Sequence, residues 1–195
     1  MTTANKVTIA RILLIPFFVA QVLYYVRSGN EVYRLLAVLC FGICAVTDAL
    51  DGYIARRYKQ KSELGTLLDP LADKLLLVSG VVLLSLDNGQ MFERLPLWLV
   101  TTVVARDAML ALGWVVIHHA CGKVVVRPRV LGKLATVLQM LTVLWVLLKW
   151  DARFLDGLTL GAAITTGVSG LLYIWDGIRQ LSTSPKSTPI GLRPD

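Results

Sequence analysis

Four aspartates, Asp48, Asp51, Asp69 and Asp73, fall within residues 47–74, TDALDGYIARRYKQKSELGTLLDPLADK, where the flanking sequence is apolar enough to lie in lipid. The first two stand three apart and the last two four apart, so on helices each pair shares a face and can aim its oxygens at one point. Ionised carboxylates do not persist unpaired in a low dielectric, so the cluster calls for cations. An all-oxygen donor set suits Mg²⁺ or Mn²⁺ better than zinc. Gly52 and Gly65 leave the backbone beside the carboxylates open to a ligand. Arg56, one helical turn past Gly52, can grip a phosphate through two parallel hydrogen bonds. The expected chemistry is a divalent-metal site, built on a helical hairpin, that takes a phosphorylated substrate.

The positions Asp48, Asp51, Gly52, Ala55, Arg56, Gly65, Asp69 and Asp73 resemble the signature of the CDP-alcohol phosphotransferases, DxxDGxxAR followed after eight residues by GxxxDxxxD, at every signature position. Weaker similarity runs from NKVTIARILLIPFF to GKLATVLQM. The resemblance implies transfer of the phosphatidyl group of CDP-diacylglycerol to an alcohol with release of CMP. It also implies roles. Asp48, Asp51 and Asp69 would be the principal metal ligands, and Asp73 a ligand and the base for the acceptor hydroxyl. Asp51, Gly52, Ala55, Arg56 and Gly65 would form the CDP site, with Arg56 on the phosphates.

Positioning such a site requires membrane-embedded helices. The 195 residues are 55% hydrophobic with mean hydropathy +0.64, and several apolar stretches reach the ~20 residues that cross a bilayer. We expect an all-α, polytopic integral membrane protein with six transmembrane helices. The spans cover about 8–26, 34–56, 65–86, 96–117, a fifth ending near Trp150, and 158–178. Residues 1–180 would form one membrane domain and 181–195 a disordered polar tail. The net charge of +7 is read as topology and attraction to anionic lipid, with no nucleic-acid partner. Basic turns at Arg57–Leu64 and Gly122–Val130 mark the cytoplasmic side, which puts both termini and the active site there. With no signal or transit segment evident, a bacterial inner (plasma) membrane is expected. Cys40, Cys44 and Cys121 fit as small packing residues, without a disulfide framework. His118 and His119 lack partners at ligand spacing.

Several ionisable residues carry two readings. Arg11 either snorkels to the interface or faces the metal cavity. Arg106 and Asp107, inside the fourth span, are either functional or a structural ion pair. Arg106, Arg127, Arg129 and Lys133 could form an anion pocket for the acceptor, or the loop charges among them could set topology alone. ARILLIPFF and TDALDGYIARR resemble family members whose acceptor is glycerol 3-phosphate, which is the preferred expectation. ARDAML and RPRVLGKLATVLQM are closer to the members that make cardiolipin from phosphatidylglycerol. Arg106-Asp107 and Trp114 stand where the former usually carry Arg-Glu and another arginine. A cation transporter or channel is the reading from another class, but it does not require Gly52, Ala55, Arg56 and Gly65 at these spacings. Small residues of the sixth span, among them Gly161, Ala162, Gly167 and Gly170, would permit a homodimer contact.

Overall fold

The structure, a computed structural model, describes residues 3–58, 63–121 and 130–182. Within them the chain forms six helices: α1 (Thr3–Ser28), α2 (Glu31–Tyr58), α3 (Glu63–Ser85), α4 (Leu97–Cys121), α5 (Val130–Leu147) and α6 (Ala152–Ser182). The all-α expectation holds. Arg127, Arg129 and the tail beyond Ser182 lie outside the described residues.

The helix ends follow from local chemistry. Asn30 caps α2, its Oδ1 accepting from the Val32 amide at 3.0 Å. Gly29, at φ 68°, closes α1 by donating its amide to the Tyr25 carbonyl at 2.8 Å. Asp151 caps α6 by accepting from the Arg153 amide at 3.1 Å. That cap corrects one expectation. The charged stretch WDARFLDG reads as a turn, yet α6 begins at Ala152 because its charges line the first turns of a capped helix.

The exterior is apolar as well as the core, and several polar side chains are buried. Leu13, Leu112, Ile164 and Leu171 are exposed on the outside, whereas Arg11, Gln21, Arg106, Gln139, Thr166 and Ser169 are buried. The buried polar groups join helices, as where Gln139 Nε2 on α5 donates to Thr166 Oγ1 on α6 at 2.7 Å. Ile9–Ser28, Val130–Leu147 and Ala152–Arg179 are long and apolar enough to cross a membrane. Trp98, Trp150 and Trp175 all lie on the exterior. Cys40 and Cys44 are buried packing residues, as expected.

The helices form two groups. α1 packs on α2 and α3, and α6 packs on α4 and α5; α3 with α4 and α5, and α2 with α5, join the groups. One layer fixes the register of the first three helices. The Phe18 and Phe41 rings lie 5.7 Å apart, and Phe41 Cε2 lies 3.8 Å from where a Cβ on Gly80 would stand. Gly80 is also where α5 comes close, with Val143 Cγ1 2.9 Å from that same Cβ position.

Candidate active site

Seven residues, two helical turns, separate Phe18 from Arg11, Phe41 from Asp48, and Gly80 from Asp73. Because α2 runs antiparallel to α1 and α3, stepping seven residues from the Phe18/Phe41/Gly80 layer brings Arg11, Asp48 and Asp73 to one level. Asp51 and Asp69 follow about one turn further out. The backbone thus carries the last turns of α2, with Asp48, Asp51, Gly52, Ala55 and Arg56, and the first turns of α3, with Gly65, Asp69 and Asp73, to the same end of the bundle. Only residues 59–62 separate the two helices.

At this level Arg11 is buried, 2% exposed, and its Nη1 donates to Asp73 Oδ1 at 3.0 Å. Of the two readings of Arg11, the structure selects the inward one. A guanidinium sealed between helices is stable only beside a countercharge, so the pair fixes one oxygen of Asp73 and neutralises Arg11, whose Nε stays buried without a hydrogen-bond partner.

A second cluster begins one residue on. Lys74 Nζ donates to Asp107 Oδ1, and Arg106 Nη1 donates to the same oxygen at 2.7 Å. Arg106 Nη2 reaches Ser169 Oγ on α6 at 3.4 Å. Two glycines make room for this buried arginine: a Cβ on Gly170 would stand 3.3 Å from Arg106 Cγ, and one on Gly132 would stand 3.3 Å from Nη2. Arg106 and Asp107 are therefore an ion pair bridged to α3 and α6. Arg106 Nε and Asp107 Oδ2 are buried without hydrogen-bond partners, leaving a donor and an acceptor uncommitted beside Asp73's helix. Lys133 lies on α5 one residue past Gly132 and is exposed.

Sequence reasoning passed over Lys74, Ser169 and Tyr173. The signal for Lys74 was a lone lysine following the last aspartate into an apolar span, which needs an anionic partner. Asp107 supplies it. Ser169 and Tyr173 carried no signal, because their relevance comes from how α6 lies against Gly132 and Arg106.

The donor chemistry at this end is compatible with a hard divalent ion. The backbone brings the acid-bearing turns of α2 and α3 to this end of the bundle, where Arg11 pairs with Asp73 while Lys74 and Arg106 pair with Asp107.

The family model described as CDP-alcohol phosphatidyltransferase matches residues 1–173. A Bacillus subtilis relative named CDP-diacylglycerol–glycerol-3-phosphate 3-phosphatidyltransferase is 34% identical, the match covering 92% of this chain and 97% of the relative. A Haemophilus influenzae relative of the same name is 31% identical over 92% of this chain and 91% of its own length. A Pseudomonas fluorescens relative, again of that name, is 35% identical over 57% of this chain and 53% of its own.

Proposed function

The chain belongs to the CDP-alcohol phosphatidyltransferase family, and from that premise we propose that it transfers the phosphatidyl group of CDP-diacylglycerol to glycerol 3-phosphate. The observation that carries this reading is near-complete coverage by relatives named for that reaction, together with a register that sets Asp48 and Asp73 at one level. In the reaction the acceptor hydroxyl oxygen bonds to the phosphatidyl phosphorus, the bond to the CMP oxygen breaks, and CMP departs.

Asp73 takes the hydroxyl proton, held in place through Oδ1 by Arg11. Asp48, Asp51, Asp69 and Asp73 would hold Mg²⁺ or Mn²⁺, which supplies countercharge to the diphosphate and the leaving oxygen. Asp51, Gly52, Ala55, Arg56 and Gly65 accommodate the cytidine nucleotide, with Arg56 on its phosphates. Arg106, Arg127, Arg129 and Lys133 receive the phosphate of the acceptor. Arg106 is buried within the helix bundle.

All six helices cross the membrane in this reading, with both termini and the site on the cytoplasmic side of a bacterial inner membrane, where nucleotide-activated substrate and divalent ions are at hand. Residues 1–180 form the membrane domain and the acyl chains remain in the bilayer. Two copies can associate along α6 at Gly167, where an added Cβ would meet nothing within 4 Å, whereas Ala162 and Gly170 are taken up within the bundle.

The test is CMP release by purified protein given CDP-diacylglycerol with either acceptor. Product from glycerol 3-phosphate, lost on chelation and restored by Mg²⁺ or Mn²⁺, is the expected result. Product from phosphatidylglycerol alone would reject the acceptor. Full turnover by Asp73→Asn, or in chelator, would reject the corresponding roles.

A further inference from the structure

At the end of the bundle remote from the acid run, the loop between α3 and α4 and the turn between α5 and α6 frame a half-open cavity of about 510 Å³. That lies within the ~300–1,000 Å³ range of small-ligand sites. It is separate from the active site. Along α2, Glu31 marks this end and Asp48 the other, a separation of ~25 Å at 1.5 Å per residue.

Two cations, Arg94 and Lys149, and two carboxylates, Asp87 and Glu93, line the cavity together with Trp145 and Trp150. The charges are tethered. Arg94 Nε donates to the Ser85 carbonyl at 2.8 Å, and Lys149 donates to Tyr25 OH and to Glu31 Oε1. Asp87 Oδ1 accepts from the Gly89 amide at 3.3 Å. Asn88 also lines the cavity, is 7% exposed, and has a side-chain Nδ2 with no hydrogen-bond partner. A buried amide donor of this kind costs stability unless something entering the cavity supplies an acceptor.

Charge balance and position select the ligand class. A simple anion entering the cavity would meet Asp87 and Glu93, and a simple cation would meet Arg94 and Lys149. A molecule carrying one charge of each sign meets neither penalty. Residues 148–151 fall between the candidate spans Val130–Leu147 and Ala152–Arg179, which sets the cavity where hydrocarbon gives way to head groups. Trp145 and Trp150, their ring centroids 4.7 Å apart, are residues suited to that boundary.

We propose that this cavity binds the head group of a zwitterionic phospholipid. Its phosphate lies toward Arg94 and Lys149 and its ammonium toward Asp87 and Glu93, while Asn88 Nδ2 donates to a head-group or ester oxygen. The bound lipid joins the α3–α4 loop to the α5–α6 turn.

Native mass spectrometry of the full chain in detergent tests the proposal, using equimolar phosphatidylethanolamine and phosphatidylglycerol. The comparison is between the wild type and an E93Q/R94Q variant, which removes one charge of each sign from exposed positions. Their difference cancels any lipid held at the active site, and unchanged CMP release shows that the variant is folded. The wild type should retain about fivefold more phosphatidylethanolamine than the variant, roughly one hydrogen bond's worth of affinity, with phosphatidylglycerol retained equally by both. Equal retention of phosphatidylethanolamine by both proteins overturns the proposal. So does a phosphatidylglycerol difference as large as that for phosphatidylethanolamine. Displacement of the lipid by equimolar phosphoethanolamine would overturn the lipid assignment in favour of a soluble zwitterion.

Discussion

Arg11 and Asp73 meet at 3.0 Å across 62 residues of sequence, with the arginine side chain 1% exposed and the carboxylate 26% exposed. The arginine is sealed while the aspartate keeps part of its surface exposed. An arrangement of this kind holds a reacting group in one orientation without covering it.

Arg11→Gln should therefore lower turnover more than it lowers stability. Losing this hydrogen bond removes the contact that holds Asp73 Oδ1 in place, and misplaced catalytic groups commonly lose about 100-fold in rate. Arg11→Lys, which keeps the charge but not the planar fork, should fall between the two. CMP release at saturating substrates measures this, with gel filtration in detergent as the folding control. Arg11→Gln in an Asp73→Asn background should cost little more. Wild-type turnover in Arg11→Gln would remove Arg11 from the mechanism.

Gly132→Ala places a methyl 3.3 Å from Arg106 Nη2 and 3.4 Å from both Ser169 Oγ and Tyr173 OH. The guanidinium must shift, and with it the proposed acceptor-phosphate contact. KM for glycerol 3-phosphate should rise about tenfold, equivalent to about 1.4 kcal/mol, while KM for CDP-diacylglycerol stays near its original value. Steady-state kinetics with each substrate varied in turn separates the two. A rise confined to the nucleotide substrate would detach Arg106 from the acceptor.

Gly80→Ala tests the packing that sets the register. Its methyl would stand 2.9 Å from Val143 Cγ1, a branched side chain with little freedom to move away. Overpacking of this sort costs about 1–3 kcal/mol, so thermal unfolding in detergent should shift downward. Val143→Ala in the same chain should recover most of the loss, because it removes the clashing methyls. Without that recovery, the close approach of α3 to α5 would not be what Gly80 is for.

How much of this was legible in the sequence depended on whether a residue's partner was local. The helices announced themselves through apolar length, and the aspartate run through spacing within single helices, so α2, α3 and the placement of Asp48 through Asp73 along them were readable in advance. Arg11 could be read only as one of two alternatives, since no local pattern distinguishes a snorkelling arginine from an inward one. The choice came from α1 packing beside α3. Lys74 was passed over because its partner, Asp107, is 33 residues away. The start of α6 was placed late because charges that mark a turn also cap a helix, and Asp151 does the latter.

At the opposite end, Glu31, Arg34, Tyr25 and Lys149 form a cluster whose ionisation should shape stability at both extremes of pH. The Arg34 hydrogen bond holds the Glu31 carboxyl below its ordinary 4.5; burial, the next largest effect, opposes it, and the Tyr25 hydrogen bond, the Arg34 charge and the Lys149 hydrogen bond add to the lowering. A carboxylate whose folded value is depressed contributes stability fully above 4.5, and that contribution is lost as pH falls through the folded value. Lys149 is raised above 10.5, first by its hydrogen bond to Tyr25 and then by Glu31. Its contribution is complete below 10.5 and is lost as pH rises through the folded value. Melting temperature should accordingly show one limb on the acid side and one on the alkaline side. Glu31→Gln should flatten the acid limb, and Lys149→Met the alkaline one. Both variants should differ least from each other near neutrality, where neither proton moves. Melts of the three proteins from pH 3 to 12 check this, and limbs unchanged in both variants would assign the pH dependence to other groups.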